Sequence, residues 1–228
     1  MNKNIVVNGA SRGIGKEITL QLAQNPLYNV YALGRNVDAM HAAFSAYPNV
    51  KVLPFDLEME MEGQMGILSE LQEIHVLINN AGLLIKNTFS SLTQKDFERS
   101  MRVNFFAQVA LIQKLLPSIV KGKGHVVNIS SMGAFQGSMK FPELTAYASS
   151  KAAIANFTEV FAEEYKDQEI WMNCLCLGAV QTEMLEEAFP GYQAPIDAKG
   201  MAAFIVDFAL NRFPFFNGKI IPVSTSTP

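Results

Sequence analysis

Asn8-Gly9-Ala10-Ser11-Arg12-Gly13-Ile14-Gly15 is the stretch that decides the fold of this 228-residue chain. It follows a short apolar run, Ile5–Val7, and leads into residues 13–24, whose apolar side chains recur at helical spacing. The glycines permit a tight turn, and a helix that starts at such a turn presents unpaired N–H groups in front of it. The stretch therefore predicts a strand, a turn and a helix, with room for an anion at the turn.

The same alternation of short apolar runs and longer amphipathic segments continues along the chain. Further strands are predicted at 30–33, 50–55, 74–78, 125–129, 170–177 and 219–223, and helices at 37–46, 61–73, 93–120, 146–166 and 197–210. Such regular alternation predicts a Rossmann-type α/β fold, a doubly wound parallel sheet in three layers with helices on both faces. No repeat or low-complexity linker divides the chain, so we expect a single domain over residues 1–228.

Composition and charge exclude several classes of protein. With 49% apolar and 17% charged residues, the chain is too apolar for a disordered segment. The formal net charge of −3 argues against a nucleic-acid partner. The sequence has no run of about eighteen apolar residues, so we expect no membrane partner. Cys174 and Cys176 are too few for a disulfide framework, and the N-terminus becomes polar before a signal-peptide core could form. We expect a cytoplasmic protein without a metal site.

The glycine stretch has three interpretations. Its spacing, G-x-x-x-G-x-G at the first strand–helix junction, suits a dinucleotide. Residues 9–13 also match the G-x-S-x-G elbow of hydrolases around Ser11, but an elbow needs earlier strands for its oxyanion hole, and almost nothing precedes this one. A P-loop is excluded because Gly15-Lys16 is followed by Glu17 instead of Ser or Thr. We therefore predict a dinucleotide site.

The turn after the second strand bears on which dinucleotide is bound. An acidic residue near this position usually binds the ribose 2′-hydroxyl of NAD, whereas here Gly34 is followed by Arg35. Arg12 and Arg35 offer two guanidinium groups, and their bonds to a 2′-phosphate would favour NADP(H) over NAD(H) by about a hundredfold. The alternative is that both arginines are solvated surface residues.

A tyrosine and a lysine four residues apart mark a candidate acid–base pair. Tyr147 and Lys151 lie on one face of the predicted helix 146–166. A nearby ammonium group lowers the pKa of a phenol, which a tyrosine acting near neutrality requires. Alone, a tyrosine and a lysine at this spacing are more often solvent-exposed surface residues without a catalytic role. Here Ser130-Ser131 and Asn79-Asn80-Ala81-Gly82 end neighbouring strands, where a ligand of this fold would lie.

Together these residues resemble the short-chain dehydrogenase/reductase family. The motifs occur in matching order along nearly the whole chain: the glycine stretch 9–15, residues 79–82, Asn104, Ser130-Ser131, and Tyr147 with Lys151. The resemblance implies a seven-stranded Rossmann sheet and a nicotinamide cofactor. Together with Arg12 and Arg35 it predicts an NADP(H)-dependent oxidoreductase, which transfers a hydride between the nicotinamide and a ketone, aldehyde or secondary alcohol. The alternative is a non-catalytic NADP(H)-binding regulatory or redox-sensing protein on the same fold.

The resemblance also implies a role for each residue of the site. Tyr147 would act as general acid–base, Lys151 would lower its pKa and hold the nicotinamide ribose, and Ser131 would bind the substrate oxygen. Asn104 would hold a water that links Lys151 to bulk solvent. Asp56 would contact the adenine and Thr182 the carboxamide. The full set of implied cofactor contacts is Gly9, Ser11, Arg12, Gly13, Ile14, Gly15, Arg35, Asp56, Asn80, Ala81, Gly82, Tyr147, Lys151, Gly178, Val180 and Thr182.

Two segments are expected to cover the substrate. Ser131 lies sixteen positions before Tyr147, more than the family commonly shows, and the extra residues 137–142 predict a lip; Ser130 stays a minor alternative to Ser131. Residues 183–195 predict a mobile apolar lid, or else an ordinary amphipathic helix packed on the body. Phe141, Met184 and Phe189 are the candidate substrate contacts, and we expect an apolar small-molecule carbonyl or alcohol.

Family resemblance further implies a homodimer or homotetramer, associated through helices 93–120 and 146–166. Two departures bear on these expectations. The family's Pro-Gly after the sixth strand is Leu177-Gly178 here, and the C-terminal stretch 221–228 lacks the usual Asp-Gly-Gly.

Overall fold

A seven-stranded parallel sheet forms the centre of the computed structural model, which describes residues 2–212 and 215–225. The strands are β1 Lys3–Asn8, β2 Tyr28–Gly34, β3 Val50–Pro54, β4 Val76–Asn79, β5 His125–Ser131, β6 Trp171–Leu177 and β9 Ile220–Val223; β7 Val180–Gln181 and β8 Ile196–Asp197 pair separately. The order is β3-β2-β1-β4-β5-β6-β9, and each neighbouring pair is parallel. This is the predicted Rossmann arrangement, with its switch point between β1 and β4.

Helices cover both faces of the sheet. They are α1 Gly13–Ala23, α2 Val37–Phe44, α3 Gln94–Met101, α4 Ala107–Lys121, α5 Thr145–Glu164, α6 Glu183–Ala188 and α7 Ala198–Asp207. Successive strand residues point to opposite faces, so Ile5 and Val7 pack with α1 and α7, whereas Val6 packs with α4. Burial on both faces explains why the strands appear in the sequence as continuous apolar runs.

The predicted helix 61–73 is wrong. The structure has two 3-10 segments there, Glu62–Gln64 and Gly66–Glu70. Gly66 has a φ of 38°, in the left-handed region that an α-helix cannot include. The apolar spacing that suggested a helix is satisfied by separate turns that bury Leu68 against the sheet.

The predicted helix 93–120 is present but irregular. A π-turn, Arg102–Phe106, joins α3 to α4. The helix begins at a capping box, in which Asp96 N–H donates to the Thr93 hydroxyl and the Asp96 carboxylate accepts from Thr93 N–H. The π-turn carries Asn104, and such single-turn expansions frequently occur at functional sites.

The helical run 94–121 is also long and apolar enough, by length and composition, to cross a membrane. In this fold 44% of its most apolar eighteen-residue window is buried. Leu111, Ile112 and Leu115 pack it against the sheet. Core helices of α/β domains pass the same test, so the run is only a weak indication of a membrane.

The turn after β6 is fixed by the end of β9. Gly178 N–H donates to the carbonyl oxygen of Val223 at 2.9 Å. A Cβ atom on residue 178 would lie 2.5 Å from Ser224 Oγ and 2.9 Å from Ser224 Cβ, so a side chain there would displace Ser224. Residues 226–228, part of the stretch that lacks Asp-Gly-Gly, lie outside the described residues.

Candidate active site

A cleft of about 620 Å³ lies at the carboxyl ends of the strands. This is where ligands of doubly wound sheets bind. Of the predicted site residues, all but Gly15 and Asn104 line it: Gly9, Ser11, Arg12, Gly13, Ile14, Arg35, Asp56, Asn80, Ala81, Gly82, Ser131, Phe141, Tyr147, Lys151, Gly178, Val180, Thr182, Met184 and Phe189. The fold therefore brings the predicted cofactor and substrate contacts into one cavity.

Close backbone packing shapes the end of the cleft at the glycine stretch. Gly9 has a φ of 87°, and a Cβ atom there would lie 2.6 Å from the Cα of Ala81. A Cβ atom on Gly15 would lie 2.0 Å from the carbonyl oxygen of Gly9, so Gly15 packs α1 against the turn instead of facing the cleft. No described side chain caps the start of α1 at Arg12. Its N–H groups thus remain available to an anion.

Asn8 is a site residue that the sequence reasoning missed. Its side chain is 2% exposed, lines the cleft, and keeps its Nδ2 donor without a hydrogen-bond partner among residues 2–212 and 215–225. Leaving a buried donor unpaired costs about 1–3 kcal/mol. This donor, the glycine cradle and the uncapped helix fit an acceptor-rich dinucleotide. A polar amide at the end of an apolar strand, directly before Gly9, was the available signal.

The two arginines predicted to bind a 2′-phosphate are each paired with a carboxylate. Arg12 Nη1 lies 2.5 Å from Glu187 Oε1, and Arg35 Nη1 lies 3.6 Å from Glu58 Oε1. The hydrogen bond that Arg12 donates to the Glu187 carboxylate raises the pKa of Arg12. The arginine side chains are 50% and 66% exposed, so each pair contributes at most about 1 kcal/mol. A phosphate dianion can compete for both guanidinium groups.

Tyr147 lies in the first turn of α5, beside the end of β5. Its hydroxyl is hydrogen-bonded to Ser131, and burial raises the pKa of Tyr147 to about 12 despite that bond. The expectation that Lys151 lowers this pKa stays a prediction, and in this structure the Lys151 ammonium group donates to the carbonyl oxygen of Ile129 at 2.8 Å. The phenol is therefore protonated at neutral pH.

Lys151 is a buried cation in the same wall of the cleft. Its side chain is 2% exposed, and burial lowers the pKa of Lys151 to about 8. A Cβ atom on Gly82 would lie 3.2 Å from its Nζ. The small residue predicted to admit a ligand thus also leaves room for the ammonium group.

The two serines at the end of β5 have different partners. Ser130 Oγ donates to the main-chain carbonyl oxygen of Lys151 at 2.7 Å and is buried. Ser131 Oγ accepts from Gly133 N–H at 3.3 Å and is bonded to Tyr147. Ser131, and not its neighbour, is therefore the serine beside the phenol.

Asn104 supports the site from outside the cleft. Its Oδ1 accepts from Leu83 N–H at 2.8 Å, and its Nδ2 donates to the carbonyl oxygen of Leu83 and to Ser150 Oγ, each at 2.9 Å. The π-turn is thereby joined to the loop after β4 and to α5. The water-holding role of Asn104 stays a prediction.

The lip and the lid form the other end of the cleft. Met139 and Phe141 of the lip are 58% and 48% exposed. None of the six residues of α6, all of them described, is buried, so the lid lies over the cleft instead of packing as a core helix. Five further lining residues belong to the predicted serine pair, lip or lid: Ser130, Met139, Glu183, Leu185 and Tyr192. The lining residues that the sequence reasoning missed are mostly apolar residues at strand ends and in loops: Gly34, Phe55, Leu57, Glu58, Leu83, Leu84, Val103, Ile129, Met132, Leu144, Leu177, Ala179 and Ser224.

Comparison with known proteins gives the family. Residues 3–193 match the family model described as short chain dehydrogenase. The chain belongs to the short-chain dehydrogenase/reductase family. As a member it is an oxidoreductase that acts on CH–OH or C=O groups with a nicotinamide cofactor. In the described ranges, no group of three or more His, Cys, Asp or Glu side chains is placed to hold a metal ion.

Individual relatives of this short-chain dehydrogenase/reductase are distant. The 3-amino-tetrahydro-pyrrolizinone reductase of Xenorhabdus hominickii is 32% identical over 190 residues, which are 81% of this chain but only 64% of the relative. Dehydrogenase/reductase SDR family member 6 of Rattus norvegicus is 30% identical over 213 residues, 92% of this chain and 84% of the relative. The solved structure of ElxO with NADP bound superposes with a TM-score of 0.85 at 25% identity, covering 98% of this chain and 97% of that one.

Proposed function

We propose that the protein is an NADP(H)-dependent reductase of apolar ketones or aldehydes, able to oxidise the matching secondary alcohols, with Tyr147 as general acid–base. The observation that carries this proposal is the hydrogen-bonded pair of Tyr147 and Ser131 at the wall of the cleft. A phenol whose pKa lies near 12 keeps its proton at neutral pH, which is the state that carbonyl reduction requires of a proton donor.

Carbonyl reduction uses three side chains of the site in separate roles. When bound, the nicotinamide supplies the hydride to the carbonyl carbon. The Ser131 hydroxyl donates to the carbonyl oxygen, where negative charge develops in the transition state. Tyr147 gives its proton to that oxygen, which completes the alcohol. Lys151, whose pKa of about 8 leaves it mostly protonated at pH 7, stabilises the phenolate until solvent returns the proton.

The preference for NADP(H) rests on Arg12 and Arg35 at the mouth of the cleft, and on the related structure that holds NADP. Because a 2′-phosphate must displace Glu187 and Glu58, we expect a smaller gain than two unpaired arginines would give. The double variant Arg12→Ala with Arg35→Ala should weaken NADPH binding by about tenfold to a hundredfold and spare NADH. Titration of cofactor fluorescence measures both affinities, and equal losses for the two cofactors would contradict this assignment.

The preference for an uncharged apolar substrate rests on the side chains around the open end of the cleft. Phe141, Met184 and Phe189 line it, and the lid carries the acidic residues Glu183 and Glu187. Carboxylates on the lid repel an anionic substrate, and apolar walls favour a hydrocarbon chain.

The decisive experiment compares Tyr147→Phe with the wild type over a panel of aliphatic and aromatic carbonyls, following NADPH consumption by absorbance. The variant should lose about 10²–10⁴-fold in kcat while its NADPH affinity is retained, because only the proton donor is removed. Turnover that survives removal of the phenol would refute the mechanism. Cofactor binding without turnover in the wild type would instead favour the regulatory alternative.

We further propose a cytoplasmic homodimer or homotetramer. The free thiols of Cys174 and Cys176 support a reducing compartment. Phe106 and Val160, each 58% exposed on the helical run 94–121 and on α5, support association through these helices. Sedimentation velocity at micromolar concentration tests this, and a monomer would contradict it.

A further inference from the structure

Lys86 lies where three segments meet at the substrate end of the cleft. It belongs to the loop between β4 and α3, and its side chain is 32% exposed. Its ammonium group donates to the carbonyl oxygen of Ala188 at 3.1 Å, lies 3.5 Å from the Glu143 carboxylate, and stands 4.3 Å from the centroid of the Phe189 ring. One side chain therefore connects this loop, the base of the lip and the lid.

The lid depends on such surface contacts because α6 buries none of its residues. Ala188 is the last residue of α6, and carbonyl groups in the last turn of a helix lack partners within the helix. A cation at this position satisfies one of them and interacts favourably with the helix dipole. The same cation faces the ring of Phe189, a contact that fixes the orientation of a cleft-lining side chain.

The loop that carries Lys86 is itself anchored. Asn87 N–H donates to the carbonyl oxygen of Glu143 at 2.9 Å, which joins the loop to the lip directly beside Lys86. Glu187, also on the lid, is paired with Arg12. That second contact uses a residue proposed to bind the cofactor phosphate, whereas Lys86 is not among the residues that line the cleft.

We propose that Lys86 is the positioning residue of the lid. It holds the C-terminal end of α6 and the Phe189 ring in the cleft wall, and so sets the affinity for substrates whose apolar chain reaches the lid. The substrate part of this inference rests on the proposed function, and the part that concerns the lid rests on the contacts of Lys86. A short carbonyl compound, which ends near Tyr147, gains nothing from it.

Three variants isolate the contact. Lys86→Met keeps the length and the apolar stem but removes the charge, whereas Lys86→Arg keeps a cation. Lys140→Met is the matched control, since Lys140 lies in the lip and donates to the main-chain carbonyl oxygen of Phe135 and to the Ser138 hydroxyl.

The first measurement is hydrogen–deuterium exchange of the peptides that cover residues 183–195, which needs no turnover. Exchange in Lys86→Met should be roughly tenfold faster, because opening of the lid then breaks fewer contacts. Lys86→Arg and Lys140→Met should match the wild type. Unchanged exchange in Lys86→Met overturns the proposal, whatever the activity of the enzyme.

The second measurement is steady-state reduction of decanal and propanal with NADPH. Lys86→Met should raise KM for decanal roughly tenfold, leave kcat for both aldehydes within about twofold, and leave KM for propanal unchanged. Lys86→Arg should restore KM for decanal. An equal fall of kcat for both aldehydes would overturn the positioning role. If the wild type reduces neither aldehyde, the proposed function fails for this class, and the exchange result alone decides the role of Lys86.

Discussion

Replacing Lys151 should change stability in a way that depends on pH. Burial lowers the pKa of Lys151 from 10.5 to about 8, so the unfolded chain binds this proton more readily than the folded protein. The difference of about 2.5 pH units corresponds to about 3 kcal/mol. This cost to folding is present in full below about pH 8 and fades as pH rises towards 10.5. Lys151→Met, which has a similar length and no charge, removes it.

At pH 7 a lost hydrogen bond offsets part of the stabilisation that Lys151→Met gains by removing the buried charge. The variant loses the hydrogen bond from Lys151 Nζ to the carbonyl oxygen of Ile129, which offsets about 1–3 kcal/mol of the gain. This loss is nearly independent of pH. The difference in the free energy of unfolding between variant and wild type should therefore shift against Lys151→Met by about 2 kcal/mol between pH 7 and pH 9.5.

Urea unfolding followed by circular dichroism at several pH values measures this difference directly. Lys95→Met is the matched control, because Lys95 is exposed on α3 and its replacement removes the same charge from the surface. A difference for Lys151→Met that stays flat across this range would refute the buried, destabilised ammonium group, and with it the assignment of a poised cation beside the phenol.

Two further predictions concern stability. His125 is 1% exposed, and burial lowers its pKa from 6.5 to about 4. The free energy of unfolding should therefore fall by about 2–3 kcal/mol as pH falls from 7 to 4.5. Urea midpoints for the wild type and His125→Gln test this, and an equal loss in both proteins would contradict it. Gly15→Ala should cost at least about 3 kcal/mol or prevent folding, because its Cβ atom would lie 2.0 Å from the carbonyl oxygen of Gly9. Thermal unfolding tests this against Gly63→Ala, where a Cβ atom meets no described atom within 4 Å.

The fold class and the placement of most site residues were predictable because their signals are local. Strands buried on both faces appear as apolar runs such as Val76–Ile78, and glycine spacing in residues 9–15 places the turn before α1. Tyr147 and Lys151 share a helix face by their separation alone. Since the carboxyl ends of parallel strands meet at one edge, these local signals were enough to place the residues in one cleft.

What could not be predicted depends on contacts between distant parts of the chain. Glu187 pairs with Arg12 across 175 positions, and Ala188 accepts from Lys86 across 102. The upward direction of the pKa change at Tyr147 depends on its burial, which no spacing reveals. The π-turn 102–106 adds one residue to an otherwise helical pattern and leaves the periodicity almost unchanged.

The position of β9 has a consequence for how the chain is made. This strand covers the outer edge of β6, yet it lies more than forty residues further along the chain. A nascent polypeptide emerges from its N-terminus, so β6 stays unpaired on that side until Ile220–Val223 has been synthesised. An open apolar edge templates pairing with other chains. Release of the chain before Ile220 should therefore produce aggregates, and chaperones should engage this protein until β9 has paired with β6.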